Sequence, residues 1–251
     1  MGAGRRRWRV DNPILQGENA WERLASLYGT VMYDEREKLF KMWYLTGPNC
    51  DGFVQVRQRR ALGNVTLLAY AVSRDGVHWV KPQLDQVDFE GSTANNLIDI
   101  GRSNCEGVAV LYDEHDEDES RRYKAFYWEH GGLDVFVEHD GRTIWGQGDG
   151  DGMWVSFSPD GIQWRDGGHN PVIALGSDTT QSLVWDERLR QDVAFGRMGA
   201  GGRKVARATS DDGVHFSEPE LVFAPDEIDE ESTQFYGMPL QIYEGIYIGM
   251  P

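Results

Sequence analysis

Apolar residues in this chain come in short runs, each closed by an acidic or glycine-containing turn, and the arrangement recurs. Val31-Met32-Tyr33-Asp34-Glu35 precedes Phe40-Lys41-Met42-Trp43-Tyr44. Val110-Leu111-Tyr112-Asp113-Glu114 precedes Tyr123-Lys124-Ala125-Phe126-Tyr127-Trp128, and Leu183-Val184-Trp185-Asp186-Glu187 precedes Asp192-Val193-Ala194-Phe195-Gly196-Arg197. The runs are too short for helices and rich in aromatic and β-branched residues, so they read as strands. Downstream of each pair stands a second repeated stretch: Ser73-Arg74-Asp75-Gly76-Val77-His78-Trp79, Ser158-Pro159-Asp160-Gly161-Ile162-Gln163-Trp164 and Ser210-Asp211-Asp212-Gly213-Val214-His215-Phe216. Asp-Gly between strands predicts a hairpin in which both central residues take positive φ, with the Ser hydroxyl and Asp carboxylate bonding nearby amides.

Each unit therefore predicts strand, acidic turn, aromatic strand, variable loop, strand, Asp-Gly hairpin and short outer strand. Four antiparallel strands per repeat is the signature of a propeller blade, and the fold class expected is an all-β propeller. The blades fall at about 27–82, 106–166 and 178–219, and a further unit occupies 236–251 within a single domain. Residues 18–28, with Trp21, Leu24 and Leu27, suit one short helical turn, and Asp11 to Leu15 a turn and short strand. Three complete units and the start of a fourth fall short of a closed five-bladed ring. The expectation is a chain truncated at its C-terminus that self-associates through open edges.

Charge narrows the partners. Against 25 Lys and Arg stand 41 Asp and Glu, a formal net charge of −16. Such a surface does not attract nucleic acid or an anionic membrane. The acidic run Asp113 to Glu119 reads as a solvated turn, and His78 and His215 as solvated turn residues. No apolar run is long enough to span a membrane, and the basic start of the chain is followed by no apolar region. That leaves the cytoplasm or an undetermined compartment. Cys50 and Cys105 provide neither a disulfide framework nor metal-ligand spacing. Gly146 to Gly152 alternates Gly with Asp or Gln but lacks the carboxylate set of a calcium loop, so it reads as a flexible turn. No metal or cofactor is expected.

The order aromatic-Asp-Glu, Phe40-Lys41-Met42-Trp43-Tyr44, then Ala69-Tyr70-Ala71-Val72-Ser73 into the Asp-Gly hairpin resembles the five-bladed propeller glycoside hydrolases, the family 32 and family 43 relatives of invertase, levansucrase and arabinanase. The likeness spans roughly residues 20 to 250. The hairpin also resembles the sialidase Asp box, which has one more residue between Asp and Gly. The resemblance implies a carbohydrate substrate, with a fructosyl or arabinosyl unit, bound in a funnel on the propeller axis. There an Asp from the first blade, an Asp from the second and a Glu from the third act as nucleophile or base, stabiliser and acid. Glycosidic cleavage needs such paired carboxyl groups.

Counting back from the acidic turns gives Glu106 for the second blade and Asp178 for the third. The first blade gives Ser26, with Glu22 the nearest acid, and the fourth unit gives Tyr236. Glu106, Asp178 and Glu22 are the catalytic candidates; Trp21, Asn104 and Tyr236 are candidates for sugar binding. Each has a structural alternative: a hydrogen-bonded turn for Glu106, a turn cap for Asp178, a capping residue for Glu22 and blade packing for the aromatics. Neither Asn-Asp-Pro nor Arg-Asp-Pro occurs, and Cys105-Glu106 reverses the invertase order. A non-catalytic propeller binding carbohydrate or protein, or an inactive fragment, is the alternative reading.

Overall fold

The computed structural model describes residues 12–48, 53–56, 59–62, 65–100, 105–129, 136–139, 142–145, 151–198 and 203–251. It is an all-β structure. The first sheet is built from β1 (Ser26–Asp34) and β2 (Leu39–Thr46). The hairpin β3 (Phe53–Val56) and β4 (Arg59–Leu62) follows, and then β5 (Leu67–Ser73) and β6 (Trp79–Val80), giving an antiparallel order β1-β2-β5-β6. The second sheet repeats the plan with β7 (Cys105–Tyr112), β8 (Tyr123–Glu129), the hairpin β9 (Phe136–His139) and β10 (Arg142–Trp145), β11 (Gly152–Ser158) and β12 (Arg165–Asp166). The third contains β13 (Ser182–Asp186), β14 (Gln191–Gly196), β15 (Val205–Ser210) and β16 (Glu220–Phe223), and a last hairpin pairs β17 (Leu240–Tyr243) with β18 (Ile246–Gly249).

These are propeller blades. The first strands of successive sheets, β1, β7, β13 and β17, lie beside one another. Side-chain hydroxyls stitch them together: the Val110 amide donates to Thr30 Oγ1 at 2.8 Å and the Leu240 amide to Ser182 Oγ at 3.0 Å. The core lies between blades. Trp43, Leu68 and Tyr70 of the first sheet pack on Val108, Tyr123 and Tyr127 of the second. Phe126, Val155 and Phe157 of the second pack on Leu183, Ala194 and Ala208 of the third. A strand covered on both faces has no polar side, which is why β2, β8 and β11 read as nearly unbroken apolar runs.

The Asp-Gly loops differ from the expected two-residue turn. Only the glycines, Gly76, Gly161 and Gly213, have positive φ, between +71° and +77°; the aspartates before them do not. Five residues separate Ser73 from the next strand. Side chains do the closing: Ser73 Oγ accepts from the amides of Asp75 and Gly76, and Asp75 Oδ1 from those of Val77 and His78, both at 2.8 Å. The same bonds recur at Ser158 and Asp160 and at Ser210 and Asp212. With the carboxylate holding two amides, the chain needs a left-handed residue at one position only. The second loop also docks on the preceding blade, where the Gly161 carbonyl accepts the Trp43 indole N–H at 2.7 Å.

At the same end of each blade the aromatic-Asp-Glu turn has its own repeated chemistry. Asp34, Asp113 and Asp186 are buried. Each uses Oδ1 to cap its turn, accepting from the amides of Arg36, His115 and Arg188 respectively. Oδ2 of Asp34 accepts from Lys41 at 2.9 Å, and Oδ2 of Asp113 from Lys124 at 2.6 Å; in the third blade Tyr247 donates instead. The third blade carries Asp192 where the others carry lysine, and Asp192 pairs at 2.8 Å with Lys124 of the second. The acidic run from Asp113 is thus not uniformly solvated. It begins with a buried ion pair and runs into a short 3-10 helix, Glu119–Arg121, capped by Asp118.

Two smaller expectations also change. Residues 18–28 hold no helix, only one turn closed by the Glu22 amide on the Asn19 carbonyl, and residues 12–15 form bends without a strand. Cys50, the sugar-binding candidate Asn104 and the glycine-rich run 146–150 lie outside the described residues.

Candidate functional site

Glu22, Asp178 and Tyr236 each stand four residues before the first strand of their sheet, yet they do not share one fate. Glu106, the second residue of β7, is half-buried at the start of its strand. There the register of β7 against β8 shifts between Glu106 and Ala109, and Gly107 takes φ +60°. A Cβ at Gly107 would lie 1.9 Å from the Thr179 carbonyl oxygen. The bulge therefore brings the start of the second blade against the lead-in to the third.

That lead-in is tightly tied. The Gln181 amide donates to the carbonyls of Ser177 and Thr179 at 2.6 and 2.7 Å, and Ser177 Oγ accepts the Arg197 amide at 2.9 Å. Asp178 is left facing outward, where it ion-pairs with Arg197. Tyr236 closes the group: its hydroxyl donates to the Asp178 carbonyl at 3.2 Å, and its ring lies under Arg197 and Arg203, 5.1 and 4.7 Å from their guanidinium carbons. Burial lowers the proton affinity of Arg197, and Arg203 adds to this, while Tyr236, Glu106 and Tyr28 act in the opposite direction. Burial and the Tyr28 hydroxyl bonded to it push the Tyr236 phenol up. Asp178 and Tyr236, from two successive units, thus meet at one guanidinium at the strand-start end of the propeller, and Glu106 of the preceding unit stands beside their lead-in through the close approach of Gly107 to Thr179.

On its other side Glu106 lines a cleft of about 170 Å³ with Arg23, Ser26, Tyr28, Thr46 and Thr66. The first blade brings polar side chains to this cleft but no carboxylate. Glu22 is turned away: its side chain is 0% exposed, accepting from Lys81 and Asn19 at 2.8 Å and from the Tyr44 hydroxyl. Burial alone would raise the Glu22 carboxyl; Lys81, Tyr44 and Asn19 donating to it hold it below the usual range. Trp21 is likewise built into the blade, its indole N–H on Asn96 at 2.9 Å and its ring 6.2 Å from that of Phe89.

Sequence reasoning did not single out Arg197, Arg203 and Tyr28. Arg197 directly follows the third blade's aromatic strand, at the strand-start end; an arginine closing a run that ends in Thr46 in the first blade was the available signal. Glu129, which ends β8 opposite Cys105, is a further acid at this end and is fully buried.

No family model and no curated protein matches the chain. Solved structures do. A fructofuranosidase from Schwanniomyces occidentalis in complex with fructosylnystose superposes with a TM-score of 0.52 at 16% identity, covering 82% of this chain and 35% of that one. A glycosyl hydrolase from Bacteroides ovatus gives 0.53 at 16% identity, covering 87% and 61%. A structure from glycoside hydrolase family 130, described as a family of mannoside phosphorylases that contains hydrolases of beta-1,2 mannosidic linkages, gives 0.53 at 16%, covering 88% and 61%. The chain thus spans between about a third and three fifths of the length of these proteins. What it shares with them at this identity is architecture: the chain has the propeller fold found in glycoside hydrolases.

Proposed function

We propose that the strand-start end of this propeller binds a carbohydrate and hydrolyses a glycosidic bond, with Glu106 and Asp178 as the paired carboxyl groups. The observation that supports this best is that the bulge at Gly107 brings the start of the second blade, with Glu106, against the lead-in of the third, where Asp178 pairs with Arg197 beside Tyr236. Hydrolysis needs one carboxylic acid to protonate the leaving oxygen and one carboxylate to act as base, nucleophile or stabiliser of the oxocarbenium-like transition state. Asp178, ion-paired with Arg197, suits the charged role. Glu106, half-buried at the start of β7 and lining the cleft, suits the acid. Tyr236, 40% exposed, offers a ring for the apolar face of a sugar. The fructosyl or arabinosyl preference belongs to this reading through the family resemblance.

A second reading, a propeller that binds sugar without cleaving it, is favoured by the first blade. Ser26 stands where that blade would supply an acid, and Glu22 is locked away by Lys81 and Tyr44. Enzyme assays on fructan, arabinan and mannan oligosaccharides separate the two. The expected outcome is turnover that falls at least about 100-fold in Glu106→Gln and in Asp178→Asn, with unchanged folding. Full activity in both variants removes the assignments. Saturable binding of a saccharide with no turnover selects the binding module.

A further inference from the structure

Arg203 is a cation that no carboxylate among the described residues neutralises, and it stands beside the candidate site of an acidic chain. The formal charge is −16, and Arg197 beside it has Asp178 as partner. Arg203 is exposed, and no carboxylate among the described residues ion-pairs with it or with Lys204. It is nevertheless held in place. Its carbonyl accepts the Phe235 amide at 3.0 Å, and the Phe235 ring packs, tilted, 4.3 Å from that of Phe223. The next side chain, Tyr236, then lies under the Arg203 guanidinium. Lys204, Thr233 and Gln234 line the adjoining cleft of about 550 Å³, with Glu231 as its acid.

A planar guanidinium held by a ring beside a polar cleft is suited to receive an oxyanion through two parallel hydrogen bonds. The group it receives must also tolerate Asp178 on the neighbouring Arg197 and Glu231 in the cleft. A monovalent carboxylate meets less repulsion there than a phosphate dianion. Resting on the carbohydrate reading above, we infer that the ligand is an acidic saccharide whose uronate carboxylate docks on Arg203, with Lys204 adding charge and Tyr236 supporting the sugar ring.

Calorimetry of the full chain against oligogalacturonate, neutral galactan, arabinan, fructan and mannan oligosaccharides, and inorganic phosphate tests this. The expected result is binding of oligogalacturonate about 10-fold or more tighter than any neutral saccharide. That preference weakens with added salt, drops to within about 2-fold in Arg203→Gln, and is partly restored in Arg203→Lys. Lys204→Gln, at the adjacent half-buried position, reduces it without abolishing it. Neutral saccharides binding as tightly as oligogalacturonate, with Arg203→Gln indifferent, would overturn the acidic-ligand inference and leave the carbohydrate reading standing. Phosphate binding that depends on Arg203 in the absence of any saccharide preference would overturn the carboxylate assignment. No saccharide bound at all would overturn both.

Discussion

The two ends of the inner strands carry charge in opposite ways. At the turn end the charges repeat: Asp34, Asp113 and Asp186 occupy one position in three blades, are buried, and spend their oxygens on turn amides and on Lys41, Lys124 or Tyr247. At the strand-start end nothing repeats. Tyr28 comes from the first unit, Glu106 from the second, Asp178, Arg197 and Arg203 from the third and Tyr236 from the fourth, and Tyr28 and Tyr236 remain exposed. A charge that recurs with the blade is part of how a blade is made. A charge found once, at the other end of the inner strands, is not required by the blade plan and can serve chemistry. Burial of a carboxylate alone would not separate these cases, because Glu22 is also buried and also unique; what marks it as structural is that its donors, Lys81 and Tyr44, belong to its own blade.

The comparison breaks most visibly at Lys124. Replacing it with Met leaves Asp113 and Asp192 buried without their shared cation. The expected loss is on the order of 3–5 kcal/mol in denaturant unfolding. Arg197→Met at the strand-start end, where the Asp178 partner is about half exposed, should cost roughly 1 kcal/mol or less. Equal losses at the two positions would erase the distinction.

The hairpins sharpen it within one motif. Gly76 and Gly161 have nearly the same φ, +71° and +77°, so a β-branched residue is strained at either. Their surroundings differ. A Cβ at Gly161 would stand 2.7 Å from the Trp43 ring of the neighbouring blade, while at Gly76 the nearest atom is 3.5 Å away on Phe40 of its own blade. Gly161→Val should cost on the order of 1–3 kcal/mol more than Gly76→Val, read as the difference in unfolding midpoints. Identical shifts would mean that the loop docks on nothing that matters.

Legibility in the sequence followed the same division. Strands, blades and the Ser and Asp bonds of the hairpins were readable because they recur, and three copies expose a pattern that one would not. Counting back from a repeated turn put Glu106 at the start of its strand, as the second residue of β7, while Asp178 falls four residues ahead of β13. For the first blade the same count gave Ser26, at the start of β1, and carried no signal for how Glu22, the nearest acid four residues ahead, is turned. Gln181 clamps the third lead-in so that Asp178 faces out, whereas Lys81 and Tyr44 draw Glu22 in. Arg197 and Arg203 were missed for a related reason: they flank the second and third strands of the third blade, and only folding brings them beside Tyr236, some forty and thirty residues away.

A smaller effect separates members of the buried set by pH. Burial pushes the Asp192 carboxyl up to about 6, with Asp113 and Asp116 adding to it and Lys124 opposing. Folded Asp192 therefore binds a proton that the unfolded chain releases, and stability falls as pH rises from about 4 to 6. Asp186 behaves oppositely. Burial would raise it, but Tyr247, Arg188 and two turn amides lower it to about 2, so its contribution is present above about pH 4 and is lost as pH falls toward 2. Asp192→Asn should flatten the decline between pH 4 and 6, with a gain on the order of 1 kcal/mol at pH 7, and leave the acid limb below pH 4 unchanged. A profile identical to that of the parent chain would place the titration elsewhere.

The smallest change tests the strand-start end by itself. Tyr236→Phe keeps the ring beneath Arg197 and Arg203 and removes only the hydroxyl, which donates to the Asp178 carbonyl and bonds Tyr28. The position is 40% exposed, so water replaces the lost partners and the stability cost should stay below about 1 kcal/mol. Function should respond more than stability, because the hydroxyl fixes where the ring and the Asp178 backbone sit relative to each other. A saccharide held by that ring should bind a few-fold more weakly, and Tyr236→Ala, which removes the ring itself, should lose on the order of 10-fold or more. Titration of both variants alongside their unfolding curves separates the two contributions. If Tyr236→Ala binds saccharide like the parent chain while its stability drops by several kcal/mol, Tyr236 belongs with the blade-building residues of the turn end, and the division between the two ends fails at the residue on which it most depends.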